Sequence, residues 1–196
     1  MRVIKFLIFI FILNISYSNS YAIEPDIFVQ STVNRASQAL SKNISKDEKM
    51  NELKSIARET VDIKGIGIYS LGPTRKDLND IQKNKFSELF ESYFLKSFAS
   101  RLAEYTNPEI DVKGKKILNK NYTIVDSILV ATSERPEVKI DWRIYTKDPN
   151  NPLIRDLIIE GLSLARTQKE EFASILNSND DNINALFEAL EEFSKN

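Results

Sequence analysis

The sequence predicts an α+β domain in which helices pack on a curled antiparallel sheet of about four strands and further helices close the chain. Three observations carry this. Apolar residues recur at helical spacing through the first half of the chain, period-2 alternation takes over between residues 110 and 159, and two short amphipathic stretches follow.

In order, Asp26 opens a helix that continues through Ile27, Val33, Ala36 and Leu40. A second helix begins at the capping-box signal Ser45-x-x-Glu48, and Met50, Leu53, Ile56 and Ala57 keep its period. A shorter element starts at Asp62 and stops at Gly72-Pro73, with Gly65 and Gly67 weakening it as a helix. Residues 77–106 give the strongest helix signal, because Phe86, Phe90, Phe94, Phe98 and Leu102 sit four apart. Steps of four drift by about 40° each at 3.6 residues per turn, so this ladder winds across the helix face. Asn107-Pro108 ends it. Strands follow at 110–119, 122–130, 138–145 and 153–159, joined by hairpin-length turns at Asn119–Asn121, Arg135-Pro136 and residues 148–152. The third is the clearest: Val138, Ile140, Trp142 and Ile144 face one way, Lys139, Asp141 and Arg143 the other. Helices around 167–176 and 182–193 finish the chain. The long aromatic helix is expected on the concave side of the sheet, making a cone with an apolar interior.

The ends and the composition narrow the function. Arg2 and Lys5, the apolar run 6–15 and the small residues Ser20 and Ala22 read as a secretory signal peptide cleaved after Ala22, leaving 23–196 as a single exported domain. An uncleaved anchor is the rival reading, but the run is about half of the roughly 20 residues a spanning helix needs. The chain has no Cys and no His. That excludes disulfides, a lipid-modified Cys, Ser-His-Asp and Cys-His catalysis and nearly every zinc site. Removing Arg2 and Lys5 leaves 25 basic against 28 acidic side chains, a net charge of −3, which argues against nucleic acid as a partner. Five Gly and six Pro leave no room for a low-complexity linker.

These elements in this order resemble the MlaC family of periplasmic phospholipid-binding proteins, also called toluene-tolerance or auxiliary ABC-transport proteins. The resemblance runs from about Asp26 to Leu190. It rests on VDIKGIGIYSLG at 61–72, on KFSELFESYFLKSFASRLAEY at 85–105, and on VKIDWRI at 138–144 followed by RDLIIEGLSL at 155–164. In the first, Asp62 stands where the family opens a helix and Gly72 where it closes it. In the last, Asp156, Glu160, Gly161 and Ser163 stand on the family's Asp-x-x-x-Glu-Gly-x-Ser pattern. The chain departs from the family at Pro73-Thr74-Arg75, where an aromatic is usual, at Asn151-Pro152-Leu153, where Gly-Trp is usual, and at 165–168.

The resemblance implies an NTF2-like cone and a non-enzymatic carrier with no cofactor, whose cargo is a diacyl phospholipid. It implies a monomer that touches membranes only transiently. Its partners would be an inner-membrane ABC transporter carrying MCE domains and an outer-membrane lipoprotein/porin complex. The apolar walls for the cargo would be Ile66, Tyr69 and Leu71, then Phe90, Phe94 and Phe98, then Ile128, Ile140, Trp142, Ile144, Leu157 and Ile159. From the residues alone the aromatic ladder reads first as an ordinary core, and Trp142 equally as core or pocket wall. Two other classes stay open. One is an NTF2-like enzyme using an inward-facing carboxylate among Asp126, Asp141, Asp156 and Glu160; the other is an exported adaptor with a filled core.

Overall fold

The structure, a computed structural model, describes residues 22–105 and 108–195. The signal segment other than Ala22 lies outside the described residues, as does Asn107. The elements are α1 Pro25–Ser41, α2 Lys46–Thr60, α3 Ile63–Ser70, α4 Asp80–Leu102, β1 Ile110–Asn119, β2 Tyr122–Leu129, β3 Val138–Tyr145, β4 Leu153–Ile159, β5 Leu162–Ser163, α5 Leu164–Asn177 and α6 Ile183–Lys195.

Local chemistry sets the helix starts. Pro25 occupies the first turn of α1, where a missing N–H costs nothing. Ser45 and Glu48 form a reciprocal capping box on α2. Asp62 caps α3 by accepting the Gly65 N–H at 2.8 Å. Asn79 and Gln82 make a second capping box, so α4 begins at Asp80 and the preceding residues belong to a 3-10 turn, Gly72–Lys76, and its exit. Despite its glycines α3 is helical, and Gly67 has a packing reason: a Cβ there would lie 2.7 Å from the Phe90 ring.

The sheet has five antiparallel strands in the order β1-β2-β3-β4-β5, one more than the sequence predicts. β5 is two residues long, too short to leave a periodic signal. It folds back on β4 through Glu160 (φ 49°) and Gly161 (φ 83°), two consecutive positive φ angles of the kind that close two-residue hairpins. Nor is the sheet strongly curled, as the cone expectation required. β2 and β3 pair in unbroken register, and the irregularities fall in β1 and β4.

α4 packs chiefly against α2, α3 and α6, while the elements lying on the sheet are α1 over β1 and β2, and α3 and α5 beside β4. This corrects the expectation that the aromatic helix itself lies along the sheet. The α2–α3 junction is stitched to β4 by a parallel bridge between Val61 and Ile154 and by the Asp62 N–H donating to the Ile154 carbonyl at 2.9 Å.

Candidate functional site

Strand register decides which side chains share a face. Val138, Ile140, Trp142 and Ile144 of β3 stand opposite Leu129, Ser127, Val125 and Thr123 of β2, and β4 adds Ile159, Leu157 and Ile154. β1 adds Ile110 and Val112 opposite Leu129 and Ser127. This inner face carries no carboxylate among the described residues. Its buried polar groups are satisfied: the Trp142 indole N–H donates to Ser127 Oγ at 2.8 Å, and the Ser127 hydroxyl donates to the Ile140 carbonyl at 3.0 Å.

The opposite face takes the carboxylates. Asp126 pairs with Asp141, and Asp111 stands beside Ile128, which itself faces Lys139. Ile128 is therefore on the other side of the sheet from Trp142. Asp156 pairs with Arg143 and is 3% exposed, held by the Ser163 hydroxyl at 2.6 Å, the Ala165 N–H at 2.9 Å and Arg143 at 3.7 Å. Its hydrogen bonds are spent on fixing the start of α5, where Ser163 is also the N-cap. The Glu160 carboxylate accepts the Lys139 N–H across the β3–β4 edge. A general base aimed into an apolar interior is not among them, which removes the enzyme reading's requirement.

The two ends of the inner face differ. At one end Thr123, Val125, Ile144 and Ile154 are all at or below 5% exposure. There a bulge after Arg143 frees Arg155 from the strand alternation. Arg155 forms an ion pair with Asp62, donates to Tyr122 Oη at 3.0 Å, and lies 4.4 Å from the Tyr145 ring centroid. This end is closed. At the other end Ile110, Val112, Val138, Leu157 and Ile159 are only half-buried, although they pack against the main core. Beyond them Leu162 is 59% exposed.

α4 shows the same division. Phe86 and Phe90 are 1% exposed and stack at 5.6 Å, with Phe172 edge-on to both. Tyr93, beside them, donates its hydroxyl to Gln168 at 2.9 Å, and burial pushes its pKa up. Phe94 and Phe98 stack on each other at 5.7 Å but stay half-buried. They sit in the half of α4 that leads into β1: residues 103–109 separate the two elements, and Ser37 Oγ of α1 donates to the Pro108 carbonyl at 2.7 Å.

Of the remaining sequence-derived wall residues, Ile66 is buried and Tyr69 is 46% exposed beneath Lys169. Leu71 is buried beside a separate pocket of about 600 Å³, between the 3-10 turn and α5 and α6. Its lining mixes Leu71, Leu78, Leu176 and Ile183 with Asp77, Lys169 and Asp181, and shares no residue with the half-buried apolar end. Sequence reasoning placed Val138 on the wall but missed Ile110 and Val112. The period-2 parity of β3 already placed Val138 with Trp142. The other two are obscured by a bulge at Lys113, for which the isolated Gly114 was the available signal.

The fold and this one-sided apolar surface define an α+β binding module. The family model for "MlaC protein" matches residues 29–192, and the chain belongs to that family of phospholipid-binding periplasmic proteins. It is a family of lipid transport, not of enzymes, and among the described residues no group of three or more His, Cys, Asp or Glu is placed to hold a metal ion. Among solved structures, the phospholipid-binding protein from Ralstonia solanacearum, in complex with a phospholipid, superposes with a TM-score of 0.74 at 19% identity, covering 88% of this chain and 98% of that one. At this identity the likeness speaks for the fold. No curated protein sequence matches the chain.

Proposed function

We propose that the mature chain, released by cleavage after Ala22, is a monomeric periplasmic phospholipid carrier. It shuttles lipid between the outer-membrane lipoprotein/porin complex and an inner-membrane MCE-type ABC transporter, and so maintains outer-membrane lipid asymmetry. The observation that carries this reading is the half-buried apolar end: Phe94 and Phe98 of α4 with Ile110, Val112, Val138, Leu157 and Ile159 of the sheet. Family membership and the phospholipid held by the Ralstonia protein support it.

Physical chemistry sets the demand. Each acyl CH₂ removed from water contributes roughly 0.8 kcal/mol, so two chains of about 15 carbons represent on the order of 20 kcal/mol or more of gross transfer energy. A carrier must enclose nearly all of both tails. In this reading the half-buried end opens in the manner of an NTF2-like cone, the tails enter there, and the head group stays at the mouth. The Asp62–Arg155 end remains shut.

The test is native mass spectrometry of the mature protein purified from a Gram-negative periplasm, followed by lipid extraction. A co-purifying diacyl phospholipid near one per chain is expected. Protein that is bare, and stays bare after incubation with liposomes, would favour the filled-core adaptor instead.

A further inference from the structure

We propose that Arg135 is the residue that recognises the phosphate of the bound lipid; this rests on the carrier reading above. Arg135 lies in the β2–β3 connection, beyond the Leu129–Val138 pair that ends the inner face at its half-buried end. The loop is held in place: the Thr132 N–H donates to the Arg135 carbonyl at 2.9 Å, and the Glu134 N–H donates to Thr132 Oγ1 at 3.2 Å. The guanidinium stands 5.5 Å from the Tyr105 ring centroid, and Nη2 makes one long bond, 3.5 Å, to the Val130 carbonyl. Its Nε is buried and has no hydrogen-bond partner.

Four other arginines, Arg35, Arg58, Arg143 and Arg155, each hold a carboxylate. Among the described residues Arg135, like Arg75, Arg101 and Arg166, pairs with none, although Glu134 and Glu137 flank it in sequence; what sets it apart is the buried, unpartnered Nε. A buried donor left open in an otherwise satisfied loop needs a partner from elsewhere. A guanidinium offers a planar fork of N–H donors that matches two non-bridging oxygens of a phosphate. At the mouth of an acyl-chain site, that anion is the phosphodiester of a phospholipid head group. The tails supply affinity, whereas Arg135 selects lipids that carry phosphate over those that do not.

The experiment offers stripped mature protein vesicles of equimolar phosphatidylglycerol and diacylglycerol with identical acyl chains, and reads the bound ratio by native mass spectrometry. The wild type should favour the phospholipid by at least about tenfold, as expected for charge-assisted hydrogen bonds. Arg135→Ala should bring the ratio near one, and Arg135→Lys should fall between. Should Arg135→Ala fail to fold, Arg135→Gln, which keeps donors without the charge, carries the same comparison. A mutant ratio equal to the wild type's, or a wild type that takes both lipids equally, overturns the inference while leaving the carrier reading intact. A wild type that takes neither lipid overturns the carrier reading and this inference with it. In a separate arm, inorganic phosphate alone is titrated while the Arg135 Nε–H resonance is followed. A shift there, combined with no lipid preference, would assign the site to a free anion and overturn the lipid assignment.

Discussion

The two halves of α4 carry the same four-residue aromatic spacing and meet different fates. Phe86 and Phe90 are locked by Phe172, α3 and α6 at 1% exposure, whereas Phe94 and Phe98 stack on each other and keep part of their rings uncovered. Spacing determines which face of a helix is apolar; what covers that face depends on the rest of the chain. In the first half the C-terminal helices supply the cover. In the second half Leu95 and Ala99 are buried while Phe94 and Phe98 stay partly uncovered, and the cover we assign to those two rings is acyl chain.

Substitutions on the two sides of this divide should separate stability from lipid content. The largest effect is expected at Phe90: Phe90→Ala should destabilise by about 3–5 kcal/mol, the range for truncating a fully buried aromatic. Phe94→Ala should lower unfolding stability by less than half as much but sharply reduce co-purified lipid. Denaturant melts of delipidated protein and lipid phosphorus assays read the two quantities. Equal destabilisation with unchanged lipid would make both halves ordinary core.

Next in size is the closed end. Asp62→Ala removes both the cap of α3 and the partner of Arg155, and should cost about 2 kcal/mol, read in the same melts, with lipid content unchanged. Lipid loss in that variant would mean that both ends of the inner face open.

The smallest effect concerns Lys115, which reaches from β1 to Glu24 and, at 2.7 Å, to Asp26 at the start of α1. Its hydrogen bond holds the Asp26 carboxyl below the ordinary value, while the hydrogen bonds to Asp26 and Glu24 raise Lys115. The Asp26 contribution is present above its unfolded pKa of about 3.9 and is lost as pH falls through the lower folded value. The Lys115 contribution is complete below about 10.4 and is lost as pH rises through the higher folded value. Lys115→Met should therefore cost at most about 1 kcal/mol near neutral pH, because the pair is solvent-exposed, and nothing at either extreme. Melts of both proteins across pH check this.

Much of the fold was legible because its signals are local. The Ser45–Glu48 capping box, the Asp62 cap and the alternation in β3 each set an element within its own few residues. The Asn79–Gln82 box carried an equally local signal that the reading passed over, and so α4 was started too early. What the sequence hid was non-local. The bulges at Lys113 and Arg155 change face parity, and only pairing reveals them. Likewise the alternation in β2 offers two faces without saying which is inner: Ile128 was taken for the wall, and it is Val125 and Leu129 that share the face of Trp142. Tyr69 followed the apolar run of α3 but is turned to solvent. Composition excluded triad chemistry and nearly every zinc site, whereas the half-buried end depends on strands paired far apart in sequence.

A phospholipid carrying a photoreactive diazirine in one acyl chain, loaded into the mature protein, irradiated and mapped to residues by mass spectrometry, reads the contact surface itself. Adducts are expected on Phe94, Phe98, Val138, Leu157 and Ile159, with Phe86, Phe90 and Val125 unlabelled. Label confined to the Phe86–Phe90 half, or to the pocket beside Leu71 and Ile183, would contradict the assignment of the half-buried end to lipid.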